Sequence, residues 1–173
     1  MTEVGHGAFC YCEALTHVTV PSSAVLGDEV FARCKSLVDV ELGEGIEHIG
    51  MRAFYKCSNW VGINIPPSVT TIGSAAFLGC SSLREVELNA GLQRIGESAL
   101  KHCTSLQGIS VPSTTVEVGA RAFEDCHNLE EVTLHDGLHC IEDGAFNNCA
   151  ILWNISTFLP LPLQSTSGVP VAS

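Results

Sequence analysis

Apolar positions in this chain recur on two periods at once. The short one is alternation. Val18 and Val20, Val40 and Leu42, Ile63 and Ile65, Val86 and Leu88, Ile109 and Val111, and Val132 and Leu134 are each separated by one residue. Side chains of an extended segment point to opposite faces in turn, so each pair predicts a short strand with one buried face. Pro or Gly follows each pair within three residues, which forces the chain to turn. The long period is 23 residues: Cys34, Cys57, Cys80, Cys103, Cys126 and Cys149 keep that spacing, and Cys12 precedes Cys34 by 22.

Other columns keep the same register. Phe9, Phe31, Phe54, Phe77, Leu100, Phe123 and Phe146 form one, each after a small residue such as Ala8 or Val30. Three residues after each cysteine stands Leu15, Leu37, Trp60, Leu83, Leu106, Leu129 or Leu152. Val4-Gly5, Leu26-Gly27, Ile49-Gly50, Ile72-Gly73, Ile95-Gly96 and Val118-Gly119 form another, and Ile141-Glu142 matches it only in its first residue. The unit reads I-G-x-x-A-F-x-x-C-x-x-L-x-x-V-x-L, then a turn and an aliphatic residue. Seven copies hold this register until the last breaks at Thr157. A slower period overlies it. Copies one, three and five turn with Pro21, Pro66 or Pro112, and copies two, four and six turn with Gly45, Gly91 or Gly137, so a pair of about 46 residues is the larger unit.

These patterns predict a mainly β coil, one winding per copy. The glycine after each Ile or Val marks a bend, where a left-handed backbone or a close approach is easiest. The A-F-x-x-C portion is too short for a free-standing helix and is expected to form a single helical or 3₁₀ turn that drops the Phe inward. One winding cannot bury enough apolar surface to offset the ordering of its own backbone, so stacking on its neighbours must supply the rest. The expected organisation is a solenoid of about seven 22–23-residue windings over residues 1–157 and a flexible Pro/Ser-rich tail over 158–173. Within that tail, 158–163 either folds back over the last winding or stays extended.

Composition narrows the class. The 173 residues suit one domain. With 46% apolar and 16% charged residues the chain is too apolar for a disordered acidic segment, yet it has no apolar run long enough for a membrane span. Nineteen acids against eight bases give a formal charge of −11, so the basic footprint of a nucleic-acid binder is missing. Nine cysteines cannot all pair. The N-terminus reads Met-Thr-Glu-Val-Gly-His, without a basic and then apolar leader, so the chain as given is expected to be cytoplasmic with reduced thiols. A piece of a longer protein is expected instead at the cell surface or outside the cell.

The repeated I-G-x-x-A-F-x-x-C-x-x-L-x-x-V-x-L columns resemble the leucine-rich repeats of the BspA type, 23-residue units also found in treponemal surface proteins and in large protist families. The resemblance covers residues 4 to about 156. It implies a right-handed leucine-rich repeat solenoid with parallel strands on its concave face. It also implies a binding or adhesion role without catalytic residues, as an interaction module or as an architectural arm of a larger surface protein.

Candidate chemistry is sparse. Each column cysteine is expected to be a small buried hydrophobe whose thiol donates weakly to a nearby carbonyl, because one thiol per winding makes a line and not the converging cage that zinc needs. Cys10 and Cys12 form a lone C-x-C, with Cys10 expected to be exposed. His135, Asp136, His139 and Cys140 are all metal-ligand types, but their columns hold Gly43, Pro66, Asn89 and Pro112, or Glu47, Thr70, Gln93 and Val116, elsewhere, so no metal site is expected. No catalytic set and no cofactor are expected. Trp60 is expected in the core, and Trp153 over the last winding or in an interface. Asn154-Ile155-Ser156 is a glycosylation sequon that stays idle without a leader.

The remaining candidates are the strand positions between the inward ones. His17, Asp39, Glu85 and Glu131 stand in one outward column, and Glu41, Asn64, Glu87 and Thr133 in the other. Acids fall on windings two, four and six, which keeps like charges off adjacent strands. The expectation is a concave binding face for an unidentified protein with a basic surface. With no cap apparent on the first winding and the last one truncated, self-association through the ends is a further expectation.

Overall fold

The computed structural model describes residues 2–157; the expectations for 158–173 lie outside the described residues. It is a β-solenoid of about seven windings without a helix. Each winding carries two short strands. The first row runs β1 (Thr2–Val4), β3 (Ala24–Leu26), β5 (His48–Ile49), β7 (Thr71–Ile72), β9 (Arg94–Ile95), β11 (Glu117–Val118) and β13 (Cys140–Ile141). The second runs β2 (His17–Val20), β4 (Asp39–Leu42), β6 (Gly62–Asn64), β8 (Glu85–Glu87), β10 (Gly108–Ser110), β12 (Glu131–Leu134) and β14 (Asn154–Thr157). All pairing is parallel and joins equivalent residues of neighbouring windings, as Ile49 with Ile72 and Val132 with Ile155.

The two rows differ in continuity. The first row has one division, between the β1–β3 pair and a five-stranded sheet of β5, β7, β9, β11 and β13. The second row is divided into β2–β4, β6–β8 and β10–β12–β14. The divisions fall after windings two and four, the joints between the sequence pairs. Proline accounts for the position. The Gly43 N–H donates to the Val20 carbonyl (2.8 Å), but Pro66 and Pro112, in the same column, have no N–H to offer Leu42 and Leu88. Leu42 and Leu88 are correspondingly only partly buried, while Val20, Ile65, Val111 and Leu134 are buried.

The A-F-x-x-C segment corrects the expectation of a helical or 3₁₀ turn. Positive φ recurs four residues apart, as at Arg52 (52°) and Lys56 (56°), and reverses the local handedness that a helix would need. N–H groups then point alternately along and across the winding. Ala53, Tyr55 and Cys57 donate to Gly50, Arg52 and Phe54 in their own winding, while Arg52, Phe54 and Lys56 donate to Ser74, Ala76 and Leu78 of the next. The segment is a stack of β-turns that forms a third hydrogen-bonded row. The glycine column is explained by contact: a Cβ at Gly50 would lie 2.6 Å from the Gly27 carbonyl oxygen, and one at Gly119 2.7 Å from the Glu97 nitrogen.

Inside, the columns stack as anticipated. Phe9, Phe31, Phe54 and Phe77 lie ring on ring at 5.4–5.7 Å, Leu100 interrupts, and Phe123 and Phe146 resume at 5.0 Å. Trp60 is fully buried against Phe54 (4.9 Å) and Phe77 (5.8 Å), with its Nε1 unpartnered. Each column thiol donates to the carbonyl of the Phe-column residue one winding earlier, from Cys34 to Phe9 (3.1 Å) through Cys126 to Leu100 (3.3 Å) and Cys149 to Phe123 (3.2 Å).

Candidate binding surface

The second strand row places the outward candidates. Inward residues such as Val40, Ile63, Val86 and Val132 are buried, so the intervening side chains face solvent. His17, Asp39, Glu41, Asn64, Glu85, Glu87 and Glu131 are exposed, and Thr133 is half-buried. In the paired ladders each acid meets a neutral or imidazole partner: Asp39 opposite His17, Glu41 opposite Thr19, Glu85 opposite Gly62, Glu87 opposite Asn64, and Glu131 between Gly108 and Asn154. Two carboxylates are held. Thr19 Oγ1 donates to Glu41 (3.3 Å) and Asn154 Nδ2 to Glu131 (2.8 Å).

The division between β4 and β6 opens this face. A cleft of about 250 Å³ lies there, lined by the polar Glu41, Glu44 and Asn64 and the apolar Leu42, Pro66 and Pro67. It brings Glu41 and Asn64, from different windings, to one depression. Asn64 is fixed by Asn89, whose Nδ2 donates to Asn64 Oδ1 (2.7 Å).

The model of the BspA type leucine rich repeat region matches this chain in six copies, over residues 2–126 and 93–160. The chain belongs to the BspA-type leucine-rich repeat family. Among solved structures, this BspA-type chain is similar to the leucine-rich repeat protein of T. pallidum, at 26% identity and a TM-score of 0.62 over 90% of this chain and 63% of that one. It is also similar to a leucine rich cell surface protein of Faecalibacterium prausnitzii, at 21% identity and a TM-score of 0.57 over 95% of this chain and 66% of that one. For the pneumococcal vaccine antigen PcpA the figures are 19% and 0.64, over 90% and 56%. The chain thus spans about 56 to 66% of the length of these proteins. No curated protein matches it.

The other sequence candidates lie apart from this face. His135 and Asp136 occupy the turn after β12, and His139 and Cys140 are exposed at the start of β13. Among the described residues no three His, Cys, Asp or Glu side chains form a metal-holding group. No helix among the described residues is long and apolar enough to cross a membrane. Cys12 and Cys140 are exposed; Cys10, expected to be exposed, is half-buried. Trp153 is 74% exposed beside the last winding.

Two features of the BspA-type surface escaped sequence reasoning. Val38 and Val61 are exposed just before β4 and β6, in a column that also holds the exposed Trp153 and elsewhere Thr16, Arg84, Gln107 and Glu130. That column change was the available signal. The other is a set of tyrosine–cation contacts at Tyr11, Arg33, Tyr55 and Lys56. Tyr55 sits one column away from the other three, so the 23-residue register alone did not join them.

Proposed function

We propose that this chain is a non-catalytic protein-interaction module that binds a partner with a basic surface through the outward, concave face of its second strand row. The observation that carries the reading is the alternation of exposed carboxylates, Asp39 with Glu41, Glu85 with Glu87, and Glu131, each opposite an uncharged or imidazole partner. Spacing of that kind keeps self-repulsion low while leaving acceptors free for Lys or Arg. The cleft beside Glu41 and the exposed Val38 and Val61 add apolar contact area next to the acids.

The test uses labelled oligolysine titrated into the protein at low ionic strength. Glu85→Lys with Glu87→Lys is expected to weaken binding about tenfold, and Glu47→Lys with Glu97→Lys, an equal change of net charge on other exposed positions, much less. Equal losses would reject this face and leave only the overall charge. As part of the same proposal the chain acts at the cell surface within a longer protein, in line with the cell-surface protein it is similar to.

The end windings favour a second reading. Phe9 is 43% exposed while Phe54 is fully buried, and Ile155 is 41% exposed. Stacking of one copy's first winding on another's last would cover both. Light scattering on a concentrated sample is expected to show dimers or larger species, and a monomer throughout removes this reading.

A further inference from the structure

We infer that the β-turn face of the second and third windings, around Arg33, Tyr55 and Lys56, is a second binding site whose ligand is a carboxylate-rich peptide segment of a partner protein. Its charge is opposite to that of the strand face. The Arg33 guanidinium lies over two rings, 5.2 Å from the Tyr11 centroid and 5.4 Å from that of Tyr55. Lys56 Nζ lies 5.2 Å from the same Tyr55 centroid. In a chain with nineteen acids, neither cation forms an ion pair with any described residue. Two acids of the first two windings are already committed: Glu13 to Lys35 (2.8 Å) and Glu29 to Arg52 (3.2 Å).

The geometry suits a carboxylate. A guanidinium stacked on aromatic faces is held in place, and what it still offers is its rim of N–H donors, which match a carboxylate two at a time. Lys56 adds a point charge and Tyr55 a hydroxyl. Arg33 and Lys56 both lie over the Tyr55 ring, which leaves it a poorer platform for a stacked sugar ring. That favours an acidic peptide over an acidic glycan. The same turn column becomes small, then imidazole, then acidic or amide further along, at Gly79, His102, Asp125 and Asn148, and Asp125 is bound by His102 (3.3 Å) and Asn148 (2.6 Å). Within this column, Arg and Lys are therefore confined to the second and third windings. Among the described residues Arg84 and Arg94 also have no ion pair, but no tyrosine holds them.

The test is fluorescence anisotropy of labelled oligoglutamate titrated with the whole 173-residue chain. The formal charge of −11 repels such a probe, so capture reports a local site. Binding that weakens with added salt is expected. Arg33→Gln and Lys56→Gln should each weaken it about tenfold, Arg33→Lys should fall between, and Arg84→Gln with Arg94→Gln should leave it nearly unchanged. Lys56 is exposed, so its variant keeps the test decisive if Arg33→Gln disturbs folding. No binding at low salt overturns the proposal, and so does an equal loss from the Arg84 and Arg94 pair. Tighter, Arg33-dependent capture of polygalacturonate than of oligoglutamate overturns the peptide assignment.

Discussion

A cysteine suits the inner turn of each winding because it is small, apolar and still carries a donor. Its S–H reaches the carbonyl of the previous winding at 3.1–3.3 Å, and that carbonyl also receives the backbone N–H of its own winding's cysteine. Burial pushes the thiols up: Cys34 and Cys149 to about 11, Cys80 to about 12, and Cys57, Cys103 and Cys126 in the same direction. A thiol whose pKa is raised by folding keeps its proton in the native state while the unfolded chain loses it. Stability is therefore unaffected below the unfolded value of 9.0 and falls as pH rises from there toward the folded values. For the fully buried Cys80 the loss is about 1.4 kcal/mol per pH unit in that window. The urea midpoint is expected to drop between about pH 9 and about pH 10.5, and a flat profile would contradict burial of the thiol row. Iodoacetamide in the native state should reach Cys12 and Cys140 and spare Cys57, Cys80, Cys103 and Cys126. Glycines give a second residue-scale test. A Cβ at Gly137 would lie 1.6 Å from the Ser113 carbonyl oxygen, whereas one at Gly62 meets nothing closer than 3.5 Å. Gly137→Ala should cost about 3 kcal/mol and Gly62→Ala close to nothing in chemical denaturation.

At the scale of elements, three rows of hydrogen bonds share the work unequally. The turn row crosses every junction between successive windings, from Phe9 N–H to the Val30 carbonyl through Phe123 N–H to Ala145. The second strand row is cut at Pro66 and Pro112. Phenylalanines under the continuous row carry the largest packing load. Phe77→Ala, from a fully buried position, should cost about 3–5 kcal/mol, and Phe9→Ala, from a half-open one, less than half of that by urea denaturation. The strands and the inward columns were legible in the sequence because alternation and a fixed period directly encode which side chains face the core. The 46-residue pair was legible too, since proline shows where a donor is missing. The turn geometry was not. A-F-x-x-C is compatible with one helical turn or with opposed turns, and only the positive φ at residues such as Arg52 and Lys56, ordinary L side chains with no sequence mark, separates the two. The Ile-Gly column was similarly ambiguous, because close approach and a left-handed backbone both select glycine. The acidic face followed from the same alternation, whereas the cleft at Glu41 and Asn64 depends on how far two windings part, a quantity that no residue type fixes.

For the whole molecule the consequence is a stability that is additive along one axis. Each winding touches only its neighbours, so a local defect should divide the unfolding transition instead of shifting all of it. The two tryptophans make this measurable. Trp60 is fully buried in the third winding and Trp153 is 74% exposed beside the last. With Trp153→Phe in the background, fluorescence reports the environment of Trp60 and far-UV circular dichroism reports every winding. The two probes should coincide in urea for this parent, because the turn row of hydrogen bonds crosses every junction between windings. Phe123→Ala removes a buried ring that stacks on Phe146 at 5.0 Å and leaves the contacts of Trp60 with Phe54 and Phe77 intact. Circular dichroism should then lose part of its signal at a lower urea concentration, while Trp60 keeps its original midpoint. If both probes move together by the full cost of the substitution, about 3–5 kcal/mol, the windings unfold as one unit and the nearest-neighbour description fails. A divided transition would also mean that the acidic windings two and four can hold their shape, and any ligand, after winding six has opened.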